Sequence, residues 1–103
     1  MLILNTDTVP GKEIEAIGLV RGSTVRAKHI GSDIVAGLRN IVGGEIKEYA
    51  ALLAGAREQA LDRMIDEARN LGADAVVAVR FETSTITQAA SEILAYGTAV
   101  KVK

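Results

Sequence analysis

The recurrence of apolar residues along this chain switches between two periods. Between Tyr49 and Leu71 they fall at Tyr49, Leu52, Leu53, Ala56, Ala60, Leu61, Met64, Ile65, Ala68 and Leu71, the 3.6-residue spacing of an amphipathic helix. The pattern predicts a helix over about 45–70, and Gly72 supplies the flexible residue that ends it. Upstream, Ile34, Val35, Leu38, Ile41 and Val42 follow the Ser32-Asp33 cap signal and predict a shorter helix, closed by Gly43-Gly44.

Elsewhere the period shortens toward two. Residues 74–86 set Val77, Val79 and Phe81 against Ala78, Arg80 and Glu82, and residues 91–103 set Leu94, Tyr96, Thr98, Val100 and Val102 against Ala95, Gly97, Ala99 and Lys101. Alternation of this kind marks half-buried strands, here the two arms of a hairpin around Thr87-Gln88-Ala89-Ala90. A short strand is expected at 2–4, a turn at Thr8-Val9-Pro10-Gly11, and a long strand at 13–25 bent or bulged at Gly18 or Gly22. The order strand, strand, helix, helix, strand, strand predicts one α+β domain over 1–103, an antiparallel sheet with two helices packed on one face.

The long helix changes character along its length. Tyr49 to Ala54 is apolar all round, whereas Arg57 to Arg69 interleaves charges with the apolar stripe. A helix apolar on every face is buried on every face, and a 103-residue chain has little with which to cover it. Aromatics are 3% of the chain while apolar residues are 49%, so the core must be built from small side chains that each bury little area. Both features predict that the first half of this helix meets another copy of the chain.

Charge narrows the functional classes. The formal net charge is −1 with signs interspersed, which argues against nucleic acid or an anionic membrane as a partner. With no Cys, disulfides, thiolate metal sites and a cysteine nucleophile are excluded. No segment approaches the roughly 20 apolar residues of a membrane span, and the N-terminus lacks the form of a signal peptide, so a cytoplasmic location is expected.

Four separated pieces carry a family resemblance: Gly37-x-Arg39-Asn40-Ile41-Val42-Gly43-Gly44; Tyr49 followed by Arg57 and Ala60; Leu71-Gly72-Ala73-Asp74-Ala75-Val76-Val77; and Gly97-Thr98-Ala99-Val100. In this order they resemble the YbjQ-like family, which is labelled for heavy-metal binding and has no established activity. The resemblance implies a dodecin-like α+β subunit, assembled as a homopentameric ring that can stack into a decamer. The soft-ligand set expected for a heavy metal is missing from this chain.

Candidate chemistry is sparse. His29 is the only imidazole and the weak candidate metal ligand; it reads as a surface or strand-end residue unless ring symmetry gathers several copies. Arg39 and Asn40 precede Gly43 and Gly44, whose amides open the next helix; an interhelix turn with Arg39 paired to Glu45 or Glu48 competes there with ligand contact at a subunit boundary. Arg57 borders the apolar half-helix and reads as an intersubunit ion pair, and Tyr49 joins these residues as a ligand or interface candidate. Arg80 and Glu82 share a strand face, and Arg21, Arg26 and Lys28 form a small basic cluster without interleaved aromatics. No serine has a base to activate it. The expected function is a non-enzymatic homo-oligomer acting as a scaffold or holding a small ligand at its interfaces, without an obligate cofactor. A metal-binding module and an enzyme with a composite intersubunit site built from Arg39, Tyr49 and Arg57 are the alternatives.

Overall fold

A computed structural model of the chain describes residues 1–26, 44–87 and 90–103. It has strands β1 (Leu2–Ile3), β2 (Ile14–Arg26), β3 (Ala75–Thr87) and β4 (Ala90–Val102), with one helix, α1 (Gly44–Asn70), between β2 and β3. The sheet order is β1-β3-β4-β2. The architecture is α+β, one helix on a four-stranded sheet; the expected short helix at 34–42 lies outside the described residues.

The sheet is mixed, which corrects the antiparallel expectation. β1 runs parallel to β3, with Leu2 opposite Ala75 and Ile3 opposite Val76. Both strands start at the same end of the sheet, and the chain then leaves β1 through a turn in which the Lys12 N–H donates to the Val9 carbonyl at 3.1 Å. Pro10 presets the first central dihedral of that turn and Gly11, at φ 76°, supplies the second.

α1 stops as its sequence signal predicts. Gly72 sits at φ 76°, Ala73 N–H donates to the Ala68 carbonyl at 3.1 Å and Gly72 N–H to the Arg69 carbonyl at 2.9 Å, a Schellman closure. The helix buries Ala56, Ala60, Met64 and Ala68 against the sheet, with Leu61 and Ile65 packed at its flank.

What receives the helix is β2 together with the small-residue face of β4. Ala95 and Ala99 are fully buried under α1, together with Val20, Val76 and Val79. Leu94, Tyr96 and Thr98 alternate onto the opposite face and stay half-buried. Close helix approach requires absent side chains. A Cβ placed on Gly22 would stand 2.7 Å from Arg63 Cβ and closer still to the Ala60 carbonyl oxygen and the Met64 nitrogen.

β3 contains a bulge that its sequence pattern conceals. Val77 pairs with Thr98 and Arg80 with Tyr96, so Ala78 and Val79 together oppose Gly97. The extra residue resets which residues share a face: Val77 joins Val9, Ala75 and Val100 away from the helix, whereas Val79 joins the core beneath it. The expected common face of Val77, Val79 and Phe81 is thereby corrected. In β2 the bulge falls at Ile17, between Ala16 and Gly18.

Ala78 turns the bulge with φ 53°, a left-handed value that costs an L-residue with a Cβ roughly 1 kcal/mol. Its N–H donates to the Thr6 carbonyl at 2.7 Å and the Val79 N–H to the Leu4 carbonyl at 3.0 Å, so the N-terminal segment clamps the bulge. Ala78→Gly is expected to raise stability by about 0.5–1 kcal/mol, read as a higher urea midpoint with an unchanged slope.

Candidate functional site

The face of the sheet turned away from α1, beyond the part that Val9 and Leu4 cover, is the candidate site. β2, β4 and β3 place their outward side chains in three-residue rows across the strands: Arg21, Tyr96 and Arg80; Ser23, Leu94 and Glu82; Val25, Glu92 and Ser84. Leu19, opposite Thr98, extends the face toward the N-terminal segment. On this face Leu19 is 63% and Val25 51% exposed.

Two polar tethers order this face. Tyr96 hydroxyl donates to Glu82 Oε1 at 3.3 Å, and Arg80 Nη1 donates to the carbonyls of Asn5 at 3.0 Å and Val79 at 3.1 Å. The guanidinium therefore ties the strand to the N-terminal segment beside the bulge.

The helix layer also exposes a large apolar side chain. Phe81 pairs across to Ala95 and so lies on the helix side of β3, where it is 46% exposed because α1 sits over β2 and β4. These exposed side chains occupy opposite layers of a molecule measuring 55 × 23 × 17 Å.

Most residues singled out from the sequence fall elsewhere. His29, Arg39, Asn40 and Gly43 lie outside the described residues, as do Lys28 and the side chains of Arg26 and Tyr49. Gly44 is the first residue of α1, and Arg57 is exposed on that helix with no ion pair among the described residues. Arg80 and Glu82 do share a face, but their partners are the N-terminal segment and Tyr96. Leu19, Val25 and Phe81 were missed as surface features. The signal that could have found them is the inequality of the two β4 faces, Ala-Gly-Ala against Leu-Tyr-Thr, since a helix settles on the smaller one.

The described residues do not fit a metal centre. No group of three or more His, Cys, Asp and Glu among them could hold an ion. Asp66 pairs with Arg69 at 3.6 Å on the solvated helix face, and Glu67 reaches the backbone of Arg21. Thr24 is the buried polar side chain of this half, and its hydroxyl has no partner among the described residues. No described helix is long and apolar enough to cross a membrane.

A helix over one face of a four-stranded mixed sheet makes the subunit α+β, with no group of metal-ligating side chains among the described residues. The YbjQ family model, whose description reads "Putative heavy-metal-binding", matches residues 1–103, and the chain belongs to that family. It is 60% identical to a UPF0145 protein of Archaeoglobus fulgidus, covering 100% of this chain and 96% of that one. It is 57% identical to a UPF0145 protein of Methanosarcina acetivorans, covering 99% and 97%. A crystal structure from Pediococcus pentosaceus, of a protein of unknown function in the DUF74 family, shares the fold with a TM-score of 0.71. That match covers 100% of this chain and 98% of that one at 12% identity.

Proposed function

We propose that this chain is a non-enzymatic subunit of a closed homo-oligomeric ring, five copies by the family resemblance, serving as a scaffold or holding a small ligand at its subunit boundaries. One observation carries the reading: large apolar side chains are exposed on both layers, Leu19 and Val25 on the sheet face turned from the helix and Phe81 beside the helix. A ring requires two different surfaces on one chain, each covering the other in the next copy, whereas a simple twofold dimer requires one. The small-residue core supports it further, because a thin core gains from area buried between copies.

Leu19→Glu tests the ring. The side chain is already mostly in water, so the isolated fold is expected to tolerate the change. A charge buried without a partner at a contact costs several kcal/mol per interface, enough to open the ring at micromolar concentration. Native mass spectrometry should show the closed assembly for the parent protein and its loss in the variant; a parent that sediments as single chains sinks the proposal.

The family description favours one alternative, a metal-binding module in which His29 or carboxylates repeated by ring symmetry supply the donors. Elemental analysis of untagged protein decides between them. One or more ions retained per ring after dialysis would favour the module.

A further inference from the structure

Ala78 is held in a conformation that alanine does not favour unaided. It sits at φ 53° in the β3 bulge, and the hydrogen bonds around it run to the N-terminal segment. Its N–H donates to the Thr6 carbonyl at 2.7 Å, the Val79 N–H to the Leu4 carbonyl at 3.0 Å, and Arg80 Nη1 to the Asn5 carbonyl at 3.0 Å. Gly97 stands opposite the bulge, where a Cβ would come within 2.9 Å of the Val77 carbonyl oxygen and 3.2 Å of Val79 Cγ2. The segment that does the holding has little ladder of its own, since β1 is two residues long.

The sequence of β3 also fits a second ladder. Without the bulge, the pairing of Val77 with Thr98 would continue as Ala78 with Gly97, Val79 with Tyr96, Phe81 with Leu94 and Thr83 with Glu92, and a one-residue slip turns every later side chain to the other face. That register restores the strict alternation of Val77, Val79 and Phe81 against Ala78, Arg80 and Glu82. Val79 and Phe81 would then join Leu19, Tyr96 and Leu94 on the face turned from α1, while Arg80 and Glu82 would pass to the helix layer. The pairing already shifts between Thr85 and Thr87, so the released residue has a place at the hairpin end. Opposed terms separate the two ladders. The bulge keeps Val79 at 8% exposure beneath the helix, and the slip frees Ala78 from its left-handed turn.

We propose that the N-terminal segment is a strap that selects the register of β3. Docked, it holds the bulge and keeps Arg80, Glu82 and Ser84 on the face turned from α1. Released, it lets the strand slip by one residue, which replaces those polar side chains with Val79, Phe81 and Thr83 and makes the candidate face apolar across all three long strands. Arg80 is the positioning residue, because its guanidinium bonds to the strap only while the bulge stands. Strain maintained by surrounding contacts is the usual mark of a segment with two arrangements. This control of the face does not depend on the ring, since the register belongs to a single chain.

Paired cysteines read the register directly, and the chain has no Cys of its own. Ser84 and Glu92 are opposite one another in the bulged ladder, so Ser84→Cys with Glu92→Cys should form a disulfide under mild oxidation. Thr83 pairs with Ile93 and lies on the other face from Glu92, so Thr83→Cys with Glu92→Cys can close only after the slip. Thiols protected from alkylation in the denatured single chain measure each link. Ala78→Val is the driver, because a β-branched residue rejects a positive φ while keeping the amide. It should abolish the Ser84–Glu92 link and produce the Thr83–Glu92 link, whereas Ala78→Gly should retain the first alone. Arg80→Gln leaves the bulge residues intact and loosens the strap, and should raise the ratio of the second link to the first about tenfold, the effect of one charge-assisted hydrogen bond. An Ala78→Val chain that keeps the first link, or that loses its fold for want of another register, overturns the second ladder. A ratio unmoved by Arg80→Gln overturns control by the strap, and neither result bears on the Leu19→Glu test of the ring.

Discussion

Gly22→Ala is expected to cost the subunit about 3 kcal/mol, the upper end of what one added methyl does in a packed interior. The new Cβ has three neighbours: the Ala60 carbonyl oxygen, the Met64 nitrogen and, at 2.7 Å, Arg63 Cβ. Two of them are helix backbone. A side chain could rotate away, but backbone can retreat only if the whole helix lifts, and lifting α1 opens the layer that holds Ala60, Met64, Val20 and Ala95. For a domain of this size such a loss lowers the melting temperature by roughly 15 °C. Gly18→Ala is the control, since nothing lies within 4 Å of a Cβ there and its backbone is not left-handed. It should move the melting temperature by no more than a few degrees. Equal losses at the two glycines would show that strand propensity, not helix approach, fixes Gly22.

The difference between those glycines marks how far the sequence could be read. Gly18 and Gly22 both suggested a bend or bulge in one long strand. The bulge falls one residue before Gly18, while Gly22 serves packing against a helix some 40 positions away, a fact about tertiary distance that no local pattern contains. Element positions were legible because periodicity, Pro10-Gly11 and Gly72 act locally: the helix expected at 45–70 spans Gly44–Asn70 and the strand at 13–25 spans Ile14–Arg26. Ala78 was illegible for the opposite reason. A left-handed turn is written in sequence as Gly or Asn, and here the clamp from Leu4 and Thr6 enforces it on alanine, so strict alternation was read through a residue that breaks it. Face identity failed with it. The bare face could not be located either, because an exposed Leu19 and a buried Val20 look alike until the helix chooses its side. Of the candidate site residues, Arg57 lies exposed on α1, and the ion pair with a neighbouring copy expected for it stays a proposal.

Met64→Ala is expected to be as damaging as the glycine change, by the reverse mechanism. Met64 is fully buried and, among the described residues, is the one large side chain in the buried helix stripe, between Ala60 and Ala68 and one turn further from Ala56. Its surroundings on the sheet include Ala95 and Ala99. Truncation leaves a cavity in a cluster of alanines and β-branched residues, which have little freedom to swing in and fill it, so the loss should fall near 3 kcal/mol, within the range for buried Met truncation. Met64→Leu conserves volume and should cost under about 1.5 kcal/mol. Denaturation at two protein concentrations makes the pair informative about assembly as well. If folding is linked to association, the melting temperature of Met64→Ala rises as concentration rises, because mass action restores part of the lost stability. A melting temperature lowered by truncation but independent of concentration would place the whole of this chain's stability within one copy, and the exposed Leu19, Val25 and Phe81 would then have to be answered by a ligand or another protein instead of by a ring.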